Sequence, residues 1–219
     1  FSWSHDGSGE AWSLRRIMLR RRQMIVTADE VSRSFRGSLH LLHSRAEGLR
    51  SFDLSEAGFW RSFSAIGLAL PAYVVTVAVE RQRLGILGSD QAVLGSLWLD
   101  ALVALAYGAS FLALPVAMIG ISRRLGLTDR YVAFVTVTNW IAVLGLLTLS
   151  VPGILLVIGW ATPDLSTFFT LAFAVLLVRT QWFATKATLG VSGVSALAVV
   201  LLGLGLNAAI AGAMRALVG

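Results

Sequence analysis

Apolar residues in this chain gather into five long runs, each closed by charged or turn-forming residues. A helix needs about 20 such residues to cross a bilayer. The pattern therefore predicts five transmembrane helices, at about residues 59–79, 93–121, 131–149, 165–183 and 194–217. Ahead of them the period changes. From Thr27 onward, Val31, Phe35, Leu39 and Leu42 recur along one helical stripe, while Arg33, Arg36, Ser38, His40 and Arg45 take much of the remaining surface. Thr27 and Glu30 have the spacing of a capping box, in which each side chain satisfies the other's backbone donor. Gly48 is expected to end this helix and Ser55 to cap the next. An amphipathic helix of this kind either lies in the headgroup region, with Arg33, Arg36 and Arg45 meeting lipid phosphate, or packs onto the cytoplasmic ends of the spans.

The spans carry their own punctuation. Phe59 and Trp60 open the first at the interface, Arg61 can snorkel toward phosphate, and Pro71 is expected to kink it. The third run stays apolar from Tyr131 to Trp160, about 45 Å as one straight helix against about 30 Å of hydrocarbon. A break is expected at Ser150, Pro152 and Gly153, leaving Val151–Trp160 as an interfacial or re-entrant segment. Domain organisation follows: residues 1–23 a disordered or non-native extension before a natural start at Met24, residues 24–58 a cytoplasmic helical region, and residues 59–219 a five-span membrane domain. The stretch before Met24 holds no continuous apolar core of a cleavable signal peptide.

Composition sharpens this picture. The chain is 56% hydrophobic and 14% charged, against about 25% charged in a typical soluble domain. Ten of its eighteen basic residues fall in the first 61 positions, so the net charge of +6 belongs largely to one end. Beside a membrane span, such a cluster is a topology signal and an attraction to anionic lipid. It lacks the interleaved aromatics of a nucleic-acid platform, so no nucleic-acid partner is expected. Arg123, Arg124, Arg130 and Lys186 fall on the side of the N-terminal region, whereas Arg81, Arg83 and Arg215 fall opposite. This predicts a cytoplasmic N-terminus and a periplasmic C-terminus. The abundance of Ala, Gly, Leu, Val and Arg points to a bacterial inner membrane.

Candidate chemistry is sparse. Cysteine is absent, which removes disulfides and thiol catalysis. Charged residues inside spans are functional candidates by default, and Asp100 and Arg179 qualify. Their depths differ by about 10 Å at 1.5 Å per residue, which argues against a direct pair. Asn139 matches Arg179 better, and Trp140 and Gln181 can complete a polar cluster there. Against these roles stand plainer ones: Arg179 snorkelling to the surface, Asp100 reaching water at the boundary, and Asn139 in a helix–helix hydrogen bond. In the fifth span Gly205, Ala208, Gly212 and Ala216 form a small-residue face for close helix packing, most simply within the chain. His40 and His43 lie one turn apart with no third ligand in reach, so no metal and no cofactor are expected.

The block Phe52-Asp53-Leu54-Ser55 through Gly58-Phe59-Trp60-Arg61-Ser62-Phe63, leading into a Pro-bearing first span, resembles a group of bacterial five-span proteins. Their layout is similar to that of the Yip (Ypt-interacting protein) family, although the Tyr-Gly-Pro core of that family's first span is not present. The resemblance implies a non-enzymatic membrane protein acting through partners or lipid, and carries over no functional residue. The sequence thus leads to an all-α, five-span integral membrane protein with an N-terminal amphipathic interfacial helix. The expected role is assembly, organisation or interaction, with membrane lipid, a membrane-protein partner or a second copy as partners. The alternative is a small transporter or channel subunit.

Overall fold

A computed structural model describes residues 26–83 and 93–218. The expected extension 1–23 and Met24 lie outside the described residues, as do the side chains of Arg81, Arg83 and Arg215. Among the described residues seven α-helices follow in order: α1 (Ala28–Leu42), α2 (Glu56–Ser64), α3 (Leu70–Arg83), α4 (Val93–Arg124), α5 (Thr128–Val157), α6 (Pro163–Leu189) and α7 (Gly193–Val218). A 3₁₀ segment, Ala46–Ser51, follows α1, and another, Ala65–Ala69, joins α2 to α3. Among the described residues five helical stretches are long and apolar enough to cross a membrane: Glu56–Val79, Asp100–Arg124, Thr128–Val157, Pro163–Leu189 and Gly193–Met214. The protein is an all-α, multi-pass membrane protein.

The N-terminal helix packs against α5 and α6, but the stripe that periodicity singles out supplies only part of the contact, through Val31 and Phe35. Its buried face is Glu30, Ser34, Gly37, Ser38 and Leu41. Val31 and Phe35 flank this face, and Leu39 is exposed. Small residues win because the backbone following α1 crosses it closely. A Cβ on Gly37 would stand 2.8 Å from the Gly48 carbonyl oxygen, and one on Gly48 would stand 2.6 Å from that of Gly37. Gly48 is therefore a crossing point and not the helix end, which comes earlier at Leu42, with Ser44 in the left-handed region at φ 58°.

Pro71 lies within the first span, and the helix is irregular just before it, in the tighter Ala65–Ala69 segment, which includes the carbonyl four residues back that a proline ring crowds. Pro152 behaves differently from expectation. The third span does not stop near Leu149: α5 runs on through Pro152 to Val157, and no interfacial segment separates there. Neighbours carry the helix through. Pro152 is fully buried, its carbonyl accepts a 3.0 Å hydrogen bond from Ser166 Oγ of α6, and Gly153 lies against Val75 and Val79 of α3. Prolines persist in spanning helices where such neighbours compensate.

Helices α4, α5, α6 and α7 form a ring: each packs on the next, and α7 closes back onto α4. The first span packs outside this ring, mainly on α5. The densest core lies at the end of the bundle where α1 docks, with Phe134–Ile141 of α5 buried throughout.

Candidate functional site

At the α1 end, residues 52–63 form a clamp. Asp53 Oδ1 accepts from the Ser55 backbone N–H at 3.0 Å, and Ser55 Oγ caps α2 by accepting from Gly58 N at 3.1 Å. Gly58 must lack a side chain, because a Cβ there would collide with the Asp53 carbonyl. This turn aims the second Asp53 oxygen at Arg61, which it meets through Nη2. The Arg61 Nε donates to Glu30 Oε2 of α1 at 2.6 Å. Glu30 is only 4% exposed, so its charge requires this partner. Hydrogen bonds from Ser55, reinforced by the Arg61 guanidinium, hold the Asp53 carboxyl below the usual carboxylate range against the opposing effect of burial.

Two sequence expectations change here. Thr27 Oγ1 accepts from Glu30 N at 3.3 Å, but Glu30 does not return the bond; the pull of Arg61 turns its carboxylate into the protein. Arg61 likewise points inward instead of snorkelling. The sequence reading passed over Glu30, Asp53 and Ser62 as site residues. The spacing of Asp53 before Ser55, an Asx-turn pair, was the available signal.

One turn further, Ser62 Oγ donates to the Phe59 carbonyl at 2.7 Å and accepts from Asn139 Nδ2 at 3.0 Å. Asn139 is 1% exposed. Of the cluster expected around it, Gln181 shares a cavity wall with Asn139, whereas Arg179 and Trp140 do not line it. Arg179 is exposed and donates to Ser44 Oγ at 2.8 Å in the turn after α1. Trp140 stands edge-on to Phe35 of α1, and Gln181 donates to Thr138 Oγ1 at 3.2 Å. The reason is helical geometry: at 3.6 residues per turn, Asn139 and Trp140 point about 100° apart and Arg179 and Gln181 about 200° apart. Asp100 is half-buried and does not line the cavity that Asn139 and Gln181 share; its backbone carbonyl accepts from Tyr73 OH at 2.7 Å.

The small-residue face of α7 is turned away from the other described helices. Gly205, Ala208 and Ala216 are exposed, and a Cβ on Gly205 or Gly212 would meet nothing within 4 Å. Intramolecular packing falls instead on Gly203, beneath Leu114 of α4. Arg33, Arg36 and Arg45 are all exposed around α1. His43 Nδ1 lies 2.8 Å from the Leu39 carbonyl, and no group of three metal-ligating side chains occurs among the described residues.

Between α4, α5, α6 and α7 lies a partly open cavity of about 380 Å³. Its polar wall groups are Tyr107, Ser110, Thr138, Asn139, Gln181 and Asn207. The Tyr107 hydroxyl is also 2.6 Å from Thr76 Oγ1. The rest of the wall is apolar.

No family model matches the chain, and neither does any curated protein or solved structure.

Proposed function

We propose that the protein is a non-enzymatic, organising or interaction component of the bacterial inner membrane, engaging anionic lipid headgroups through its N-terminal helix. The observation that carries this reading is the clamp: Glu30–Arg61–Asp53 fixes α1 against the bundle while Arg33, Arg36 and Arg45 stay exposed. A rigidly held cationic face loses little side-chain and backbone freedom when it meets phosphate.

The level of α1 supports the same reading. Trp98 and Trp160 are 62% and 80% exposed at the far end of the bundle, where aromatic side chains favour the interface. A hydrocarbon thickness of about 30 Å is about 20 residues of helix, which from Trp160 leads back to Trp140, against which Phe35 packs. On this count α1 lies at the near headgroup level. The surplus of α5, Thr128 to Asn139, then projects beyond the hydrocarbon as a protein-covered stub. Exposed Arg123, Arg124, Arg130 and Lys186 at the same end favour the cytoplasmic side. The resemblance to the Yip layout agrees with a role played through partners or lipid.

The test is native mass spectrometry of the chain released from nanodiscs of mixed phosphatidylglycerol and phosphatidylcholine. Retention of phosphatidylglycerol by the wild type, and its loss in the Arg33→Gln/Arg36→Gln/Arg45→Gln variant, is the expected result; equal retention by both would refute the reading. The second reading, a small transporter or channel subunit, draws on the cavity between α4, α5, α6 and α7. A flux that disappears in Asp100→Asn while insertion persists would favour it.

A further inference from the structure

The cavity between α4, α5, α6 and α7 has a wall of one chemical kind. Every polar side chain described on it is an amide or a hydroxyl, and the remainder is aliphatic and aromatic, including Phe111, Leu114, Ile141, Leu146 and Leu177. An ionised group placed there would be desolvated without a counter-charge, which is strongly unfavourable. At about 380 Å³ the space falls within the range of small-molecule sites.

Polarity is also distributed along the length. Thr138, Asn139 and Gln181 are grouped toward the α1 end, and from Thr138 to Leu149 the wall extends along α5 by about 16 Å. The orientation of the Asn139 amide is fixed by its neighbour. Ser62 spends its hydroxyl proton on the Phe59 carbonyl, so it can only accept from Asn139, and the amide must present its nitrogen to Ser62. Asn139 has its carbonyl oxygen and one amide N–H left to offer the cavity, and a hydroxyl can both donate to the first and accept from the second.

We propose that this cavity binds an uncharged, mainly apolar molecule bearing a hydroxyl group, with the hydroxyl donating to the Asn139 side-chain carbonyl and the apolar part running along Ile141, Leu146 and Leu177. Ser110 and Asn207 accommodate a second neutral oxygen. The site is lined by α4, α5, α6 and α7, whereas the proposed headgroup contact uses the exposed face of α1, so the two proposals stand or fall separately.

The full chain in phosphatidylcholine nanodiscs is exposed to a diazirine-bearing twelve-carbon alcohol, and crosslinks are mapped by mass spectrometry. Labelling is expected on wall residues such as Phe111, Ile141 and Leu177. Excess 1-dodecanol should compete, dodecyl methyl ether roughly threefold to tenfold less well for want of the donor, and laurate or dodecylammonium hardly at all. Ala142→Phe, which fills the cavity from α5, should abolish the label. Asn139→Leu should erase the preference for alcohol over ether, whereas Ser62→Ala, which loses the same hydrogen bond from the other side, should keep it. The competition series on the wild-type chain needs no variant to decide the matter. Equal competition by alcohol and dodecylammonium overturns the proposal. So does label absent from the wall, or confined to outward-facing residues such as Val116 and Val175.

Discussion

Arg61 Nε stands 2.6 Å from Glu30 Oε2, joining the first span to a side chain thirty-one positions earlier in the chain. Because Glu30 is buried, removing only its partner leaves an uncompensated charge in the protein. Arg61→Leu is therefore expected to lower stability by about 3–5 kcal/mol. Replacing both groups, as Glu30→Leu with Arg61→Met, should recover much of that loss. Thermal unfolding in detergent, with protease release of the N-terminal helix as a second readout, measures both. An Arg61→Leu protein as stable as the wild type would show that the pair does not hold α1.

Asp53 gives the same clamp a pH dependence. Its carboxyl titrates below the usual range in the folded chain, chiefly through the Ser55 hydrogen bonds with Arg61 adding. Below the unfolded value of about 4, the unfolded chain binds the proton more readily, so stability rises with pH across this window. The contribution is fully present above about 4 and fades as pH falls through the folded value. Asp53→Asn should remove this acid limb from a plot of melting temperature against pH. A limb of unchanged size in the variant would assign it to other carboxylates.

Gly37 and Gly48 define a close backbone crossing. A Cβ on Gly37 meets Phe52 Cε2 at 2.7 Å as well as the Gly48 carbonyl; one on Gly48 also meets His40 Cβ at 2.8 Å. Backbone atoms cannot swing aside as a side-chain tip can. Gly37→Ala and Gly48→Ala should each cost about 1–3 kcal/mol, while Gly67→Ala, with nothing within 4 Å of the added carbon, should not destabilise. Equal melting temperatures for all three would refute the crossing.

The hydrogen bond from Asn139 to Ser62 ties α5 to the first span across 77 positions of sequence. A double-mutant cycle with Asn139→Leu and Ser62→Ala should give a coupling between about 0.6 kcal/mol, the average for such bonds between spanning helices, and about 1.7 kcal/mol, the largest. Arg179→Ala should cost under about 0.5 kcal/mol, since its bond to Ser44 is exposed. A larger loss at Arg179 than at Asn139 would reverse the assignment of which polar residue holds the bundle together.

Hydrophobic runs carried most of the fold into view, because a bilayer requires long apolar helices and little else mimics them. Pairing was less legible. Which face of α1 turns inward depends on the Gly37–Gly48 crossing, a tertiary contact that periodicity scores as a gap in an apolar stripe. Arg61 reads as an interfacial residue until Glu30 and Asp53 are brought beside it by a turn and a docked helix. Pro152 reads as a stop because the sequence does not show Ser166, Val75 and Val79 arriving to support it. The cavity was invisible for the same reason: its wall is spread over four helices, and no single stretch of sequence carries its pattern.

The absence of cysteine from the sequence makes orientation directly measurable, since a single introduced thiol labels without background. Arg124 at the end of α4 and Trp160 after α5 are both exposed and lie at opposite ends of the bundle. With the cationic end in the cytoplasm, Trp160→Cys should react with a membrane-impermeant maleimide on intact spheroplasts. Arg124→Cys should react only in inverted vesicles. Leu146→Cys, on the cavity wall at mid-span, should resist the reagent from both sides unless the membrane is dissolved. The reverse pattern at Arg124 and Trp160 would place α1 and its arginines outside, where they would meet a less anionic surface, and would remove the physical basis of the headgroup role. Labelling of Leu146→Cys from one side alone would instead open the ring cavity to water and favour the transporter reading.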